Sequence, residues 1–289
     1  MARILGIGNA TVDVINTVDG YPAEDAEVRA VSQRIVRGGN AANTLVVLSQ
    51  LGHRCAWVGT LAREPDAERI GADLERHRID YSHCRWEERG KVPVSYVALN
   101  ARNGSRTIVH YRDLPELDTE HFTALDLSPY AWIHFEGRNV SQTLAMMQRA
   151  RARGAATVSL EVEKPREGIQ ALLPWADVVL FSRAYARARG FDGAATFLRA
   201  MRARTPAELV CAWGGGGACA LGRDDTEACC DAFPPPRVVD TLGAGDTFNA
   251  GIIDARLQGL GWPAALEAAA RLAGRKCGQV GLDGLLAAD

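Results

Sequence analysis

Short apolar runs alternate with segments of helical period along most of the chain. "RILGIG" leads into a helical pattern near Asn40 to Leu51 and then "CAWVGTL". Farther on come "AWIHFEG", a helical pattern from Ser141 to Arg153, "ATVSLEVE", "ADVVLFS" and "ELVCAW". Strand-length runs that are apolar on both faces and separated by helices predict a mostly parallel sheet covered on both sides. Gly52, Gly154 and Gly190 follow helical segments, where a left-handed residue closes a helix.

Two stretches break this rhythm. "ATVDVINTVDGYPAEDAEVRAVSQRIVRG" is long, polar and alternating, with no good helix, and "VPVSYVALNARNGSRTIVHYR" reads as two strands around Asn103-Gly104, a strong hairpin signal. Both suit a small, half-exposed antiparallel sheet outside the main domain, although ordinary surface hairpins give the same pattern.

The chain has 289 residues, 47% hydrophobic and 24% charged, enough for one large α/β domain or a core with a small appendage. A net charge of −2 with scattered arginines gives no patch for nucleic acid or an anionic membrane surface. No apolar run reaches spanning length, and "MARILGIGNATVDV" lacks the apolar region and cleavage site of a signal peptide, so a cytoplasmic protein is expected. The seven cysteines include no C-x-x-C pair and no zinc-like spacing; several lie in apolar strand-like runs, where a reduced cysteine acts as a small hydrophobe.

Candidate chemistry concentrates in four places. In "DTLGAGDTFNAG", Phe248, Ile252 and Ala255 start an apolar helix face directly after the glycines. Gly243-Ala244-Gly245 would form the turn into that helix, where bare backbone and unpaired N–H groups make an anion site. Asp246 follows; it could cap those N–H groups, but capping alone leaves Thr241 and Asp240 unexplained. In "RGGNAANTLVVLSQLG", Asn40 and Asn43 share a face of a helix start after Gly39 and could bind neighbouring hydroxyls, or Asn40 could merely cap. Gly6-x-Gly8 lacks the third glycine and the helix of a dinucleotide-binding turn, so that reading is rejected. Asp13 then lies just past the end of the first parallel strand, where such sheets place ligands. Finally, Gly214 to Gly217 could lie beside a flat ring or phosphate, or form only a flexible loop.

Taken in order, Gly6-x-Gly8-Asn9 with Asp13, "RGGNAAN", "NGSRT" and "DTLGAGDTF" resemble the ribokinase-like carbohydrate kinases of the PfkB family, from Ile4 to about Gly284. The stretches "YPAED", "IHFEGRN", "EVEKPRE" and "DAFPPPRVVD" point to a branch that phosphorylates a ketose. The resemblance implies a three-layer α/β/α fold with a mostly parallel central sheet and a small β-sheet lid. The core would comprise residues 1–11, 37–91 and 113–289, and the lid 12–36 and 92–112.

It also implies ATP-dependent phosphorylation, with fructose to fructose 1-phosphate as the first candidate. Asp246 would be the general base, and Gly243, Ala244 and Gly245 the phosphoryl cradle. Asp13, Gly39, Asn40 and Asn43 would hold the sugar, with Asp25 a lid residue near it, supplied across a homodimer. Arg106 would reach the nucleotide phosphates, and Gly214, Gly215 and Gly217 would line the ATP site. ATP would arrive as its magnesium complex; activation by potassium is left open. The alternatives are a ribokinase, a 6-phosphate-forming fructokinase or a nucleoside kinase of the same family, and a non-catalytic sugar-binding protein on this scaffold. Two departures stand out. The family's Asn-x-x-Glu motif is replaced by "LFSRAYARARGF", which leaves no metal ligand assigned, and the glycine run lacks the acidic residue often found there.

Overall fold

The computed structural model describes residues 1–154 and 156–286; residues 287–289, the end of the expected core, lie outside them. In chain order the first half contains β1 (Arg3–Ile7), β2 (Thr11–Val18), β3 (Ser32–Gly38), α1 (Asn40–Gln50), β4 (Arg54–Val58), β5 (Thr60–Ala62), α2 (Pro65–Arg76), β6 (Arg85–Glu87), β7 (Lys91–Asn100), β8 (Arg106–Asp113), α3 (Thr119–Thr123) and β9 (Trp132–Glu136). The second half contains α4 (Val140–Arg153), β10 (Thr157–Val162), β11 (Val178–Ser182), α5 (Arg183–Ala188), α6 (Ala194–Arg202), β12 (Glu208–Ala212), β13 (Ala218–Leu221), β14 (Glu227–Cys230), α7 (Ala244–Leu257) and α8 (Trp262–Cys277).

The apolar runs pair into one eight-stranded sheet, ordered β14-β13-β12-β11-β10-β9-β1-β4. It is parallel from β4 to β12, and an antiparallel hairpin closes the far edge. Alternation along each strand sends successive residues to opposite faces. Ile4, Trp57 and Leu180 pack under α1, α7 and α8, while their neighbours Leu5, Val58 and Val179 pack under α4 and α6. Two glycines set the spacing of these layers. A Cβ on Gly6 would lie 2.7 Å from Leu45 of α1, and one on Gly251 would lie 2.7 Å from the Ala269 backbone, so α7 and α8 meet almost backbone to backbone. Gly52, Gly154 and Gly190 all have positive φ after helices, as their positions predict.

The two irregular stretches form a separate four-stranded sheet, β3-β2-β7-β8. It is mixed rather than antiparallel: the β2/β3 and β7/β8 hairpins are each antiparallel, but β2 and β7 run parallel. Two hairpins that each leave the core in the same direction must pair their outgoing strands this way. One face of this sheet leaves Ile35, Tyr96, Val109 and Tyr111 exposed, while Val36 and Ile108 lie on the opposite face with Asp13.

One expectation needs correcting. Cys219 and Cys229 are not reduced hydrophobes but a disulfide, joining directly opposed residues of β13 and β14. Antiparallel register brings the two side chains onto the same face at close range, which spacing in the sequence alone does not reveal. Cys55, Cys84 and Cys211 do behave as expected: each is buried, and burial pushes its thiol up to about 12.

Candidate active site

A cavity of about 1750 Å³ opens where the parallel strands end, between the main sheet and the small one. Asp13, Gly39, Asn40, Asn43, Arg106, Gly214 to Gly217 and Gly243 to Asp246 all line it. Asp25 does not: it sits on the exposed loop between β2 and β3 with φ of 61°.

The start of α7 decides between capping and another role for Asp246. Gly243, at φ 79°, is the residue before the helix, and no side chain caps it. Asp246 lies within the first turn, buried, and accepts a 2.7 Å hydrogen bond from Asn43 Nδ2. Asn43 is itself held, because its Oδ1 accepts from Arg37 Nη1 at 2.8 Å, and Arg37 Nε donates to Asp73 Oδ2 at 2.5 Å. A line of side chains from α2 to α7 therefore fixes the Asp246 carboxyl. Burial pushes that carboxyl up to about 7; Asn43 and Arg37 oppose the shift, and Glu163 and Glu136 add to it. A Cβ on Gly245 would meet nothing within 4 Å, so the helix start is open to a ligand.

Two further carboxylates close the floor. Glu136, ending β9, accepts from the N–H groups of Asn9 (3.1 Å) and Ala41 (2.8 Å), and so caps α1 from a distant strand. Glu161, in β10, accepts from Asn40 Nδ2 (3.2 Å) and Asn249 Nδ2 (3.1 Å), while its Oε2 is buried without a partner. Burial raises both, and the charge of Asp246 raises Glu161 further. Asn40 thus donates to a carboxylate instead of capping its own helix. Gly8 and Gly39 are explained by packing: a Cβ on Gly8 would lie 2.5 Å from Glu136 Cδ, and one on Gly39 would lie 2.0 Å from the Asn9 carbonyl oxygen.

Asp13 of β2 faces this floor from the small sheet. Thr11 Oγ1 donates to it at 2.9 Å, and Gly38 leaves room for it, since a Cβ there would lie 2.3 Å from Asp13 Oδ2. Burial raises its carboxyl against the pull of Thr11, Ser95, Arg37 and His110. At the opposite end, Gly214 to Gly216 form a single 3₁₀ turn beside Arg183, whose Nη1 donates to the Trp213 carbonyl at 3.3 Å. Arg183, Lys164 and Arg166 bring positive charge to the cavity wall. The sequence reading passed over Arg37, Glu136, Glu161 and Arg183 as individuals; each stood inside a quoted motif, but only the fold turns it inward.

Asp240, left open by the sequence, is almost fully buried at the head of the glycine loop. Its Oδ1 accepts from Leu242 N (2.9 Å), and its Oδ2 accepts from Arg34 of β3 (2.9 Å) and Gly281 N (3.2 Å).

A model of the pfkB family carbohydrate kinases matches residues 1–287. The chain is a pfkB family carbohydrate kinase. It is 44% identical over 294 aligned residues to ketohexokinase of Mus musculus, covering 98% of this chain and 99% of that protein. Among solved structures, a putative ribokinase from Agrobacterium tumefaciens superposes with a TM-score of 0.86 at 22% identity, covering 98% of this chain and 94% of that one. The ribokinase of Arabidopsis thaliana complexed with ribose and ATP gives 0.81 at 19% identity, with 100% and 99% covered. These structures share the ribokinase-like fold: a mostly parallel eight-stranded sheet and a small separate mixed sheet. The enzyme is thus an ATP-dependent, ketohexokinase-like sugar kinase. No helix among the described residues is long and apolar enough to cross a membrane.

Proposed function

We propose that this kinase transfers the γ-phosphoryl of ATP to the C1 hydroxyl of fructose, giving fructose 1-phosphate and ADP. The likeness to ketohexokinase over nearly the whole of both chains supports the ketose. The observation that carries the mechanism is the buried Asp246 carboxyl, held by Asn43 beside the open N-terminus of α7.

Asp246 takes the proton of the C1 hydroxyl as its oxygen bonds to phosphorus, and the bond from phosphorus to the bridging oxygen of ADP breaks. A sugar hydroxyl is a weak acid, so a carboxyl whose proton affinity has been raised is the better acceptor. The N–H groups of Gly243 and Gly245, and that of Ala244 once it gives up its 3.3 Å bond to the Thr241 carbonyl, would face the charge that develops on the transferring group, and phosphoryl transfer needs mainly such positioning and charge stabilisation. Asp13, Gly39, Asn40 and Asn43 are the proposed sugar-side groups. Arg106 is proposed to reach the phosphates, and Gly214, Gly215 and Gly217 to flank the base.

Magnesium fits this cavity as part of the ATP complex. Among the described residues no cluster of three acidic, His or Cys side chains is arranged to hold a metal, so phosphates and water would supply most of its oxygen ligands. Glu161 and Glu163 on the wall offer hard donors in place of the missing motif. Bound there, the ion would neutralise phosphate charge.

The exposed apolar face of the small sheet supports a homodimer through this lid, which would also bring Asp25 to a partner's cavity. Use of ATP supports a cytoplasmic location. The test is ADP release across fructose, tagatose, ribose and adenosine, with phosphorus NMR to tell 1-phosphate from 6-phosphate. Preference for ribose or adenosine, or a 6-phosphate product, would remove the assignment. Repeating the assay with sodium in place of potassium tests activation by potassium.

A further inference from the structure

Lys276, near the end of α8, has no exposed surface and takes no part in the chemistry above. Its ammonium donates to the main-chain carbonyls of Asp240 (2.8 Å) and Gln279 (3.3 Å) and lies 3.3 Å from Asp240 Oδ2. The same carboxylate oxygen receives Arg34, which comes from the small sheet. Its other oxygen receives the N–H of Leu242, the residue immediately before Gly243. Asp240 is also tied to α8 through its backbone, since the N–H groups of Val239 and Asp240 both donate to the Cys277 carbonyl, at 2.7 and 3.3 Å.

A turn aspartate needs only the Leu242 bond. It does not need a fully buried lysine and an arginine from another sheet. Nor is stability a sufficient reason for them, because a buried ion pair is often matched or bettered by apolar side chains of the same volume. Burial alone disfavours ionisation of Asp240, yet the Leu242 N–H, Arg34 and Lys276 together hold its carboxyl below the usual range. The charged form is therefore kept where it holds two main-chain N–H groups, that of Leu242 at the head of the glycine turn and that of Gly281 in the segment after α8.

We infer that Asp240 is a positioning residue that sets the Gly243–Gly245 backbone for the transferring phosphoryl, with Lys276 as its fixed counter-charge and Arg34 as the link that makes this setting depend on the small sheet. The inference rests on phosphoryl transfer at Asp246, but not on which sugar accepts.

The test uses the full-length enzyme and whichever acceptor the wild type prefers. Lys276→Met, Asp240→Asn and Arg34→Met are compared by kcat, by KM for acceptor and ATP, and by unfolding midpoint. Losing the alignment of backbone donors is expected to lower kcat by about 10²-fold in Lys276→Met and Asp240→Asn, the range for one lost oxyanion donor. The acceptor KM should change by less than about threefold. The double variant should be no slower than the slower single one, as for residues that act as a unit. Arg34, whose side chain is 25% exposed, can be replaced without a buried cavity. Arg34→Met should keep the wild-type midpoint and lose about tenfold in kcat. If Lys276→Met does not fold, Arg34→Met decides alone. Wild-type kcat in folded Arg34→Met, or losses that follow only the folded fraction, would overturn the inference. A wild type that prefers ribose to fructose would remove the ketose assignment and leave this one standing.

Discussion

Replacing Asp246 with asparagine should make the protein more stable and nearly inactive, and the two effects have one cause. Burial holds the folded-state pKa of Asp246 at about 7, against an ordinary value of 3.8. Between those values the folded state binds a proton that the unfolded state has released, so stability falls as pH rises through this window. At about 1.4 kcal/mol for each tenfold in proton affinity, that difference amounts to roughly 4 kcal/mol at pH 8. Asparagine keeps the shape and can still accept from Asn43, but it never ionises. Urea unfolding at pH 8 should therefore show Asp246→Asn more stable than wild type by up to about 4 kcal/mol, with the difference vanishing toward pH 4. Turnover by coupled ADP release should drop by roughly 10²–10⁴-fold if this carboxylate is the base. The wild-type kcat/KM should fall about tenfold per pH unit below about 7, as the base becomes protonated. Equal stability of the two proteins at pH 8, or an acid limb near 4, would refute the burial argument; unchanged turnover would remove the base.

Asn43→Ala removes the donor that pulls the Asp246 carboxyl down, so the acid limb of the pH–rate profile should move upward. Activity should fall about 10- to 100-fold, the worth of a hydrogen bond to a charged group; a limb that moves down would contradict the relay. Gly39→Ala should abolish soluble folding, because its φ is 104° and the new Cβ would meet the Asn9 carbonyl at 2.0 Å. Gly52→Ala, with similar φ but open space, should cost only about 1 kcal/mol by denaturant titration. If Asp25 serves a partner's cavity, Asp25→Ala should raise the fructose KM, and diluting the wild type to monomers should do the same; a KM indifferent to both would remove the shared site.

The main sheet was legible because its core strands are apolar on both faces and α1, α4 and α5 close on glycines of positive φ, signals that need no distant information. The mixed pairing of the small sheet was not, since β2 and β7 are some eighty residues apart in sequence and local alternation is blind to parallel partners. The cavity's carboxylates divide in the same way. Asp246 and Asp13 stood beside glycines that advertised a ligand. Glu136 and Glu161 stood in strands whose apolar character hid them, and only the registers of β9 and β10 turn them under α1. The partners of Asp240 were least visible: Arg34 lies in an exposed strand and Lys276 in an amphipathic helix, and neither has an unusual neighbour in sequence.

The unpartnered oxygen of Glu161 and the raised carboxyl of Asp246 have a consequence for the heat of binding. Near neutral pH the floor of the cavity is partly protonated, and its proton count answers to whatever charge arrives. A polyanion entering without its metal would draw protons in, and the magnesium complex, in which the metal cancels part of that charge, would draw in fewer. Ligand binding is then also a proton exchange with solvent. Calorimetry in buffers of different ionisation enthalpy would read the number of protons moved, separately from any turnover.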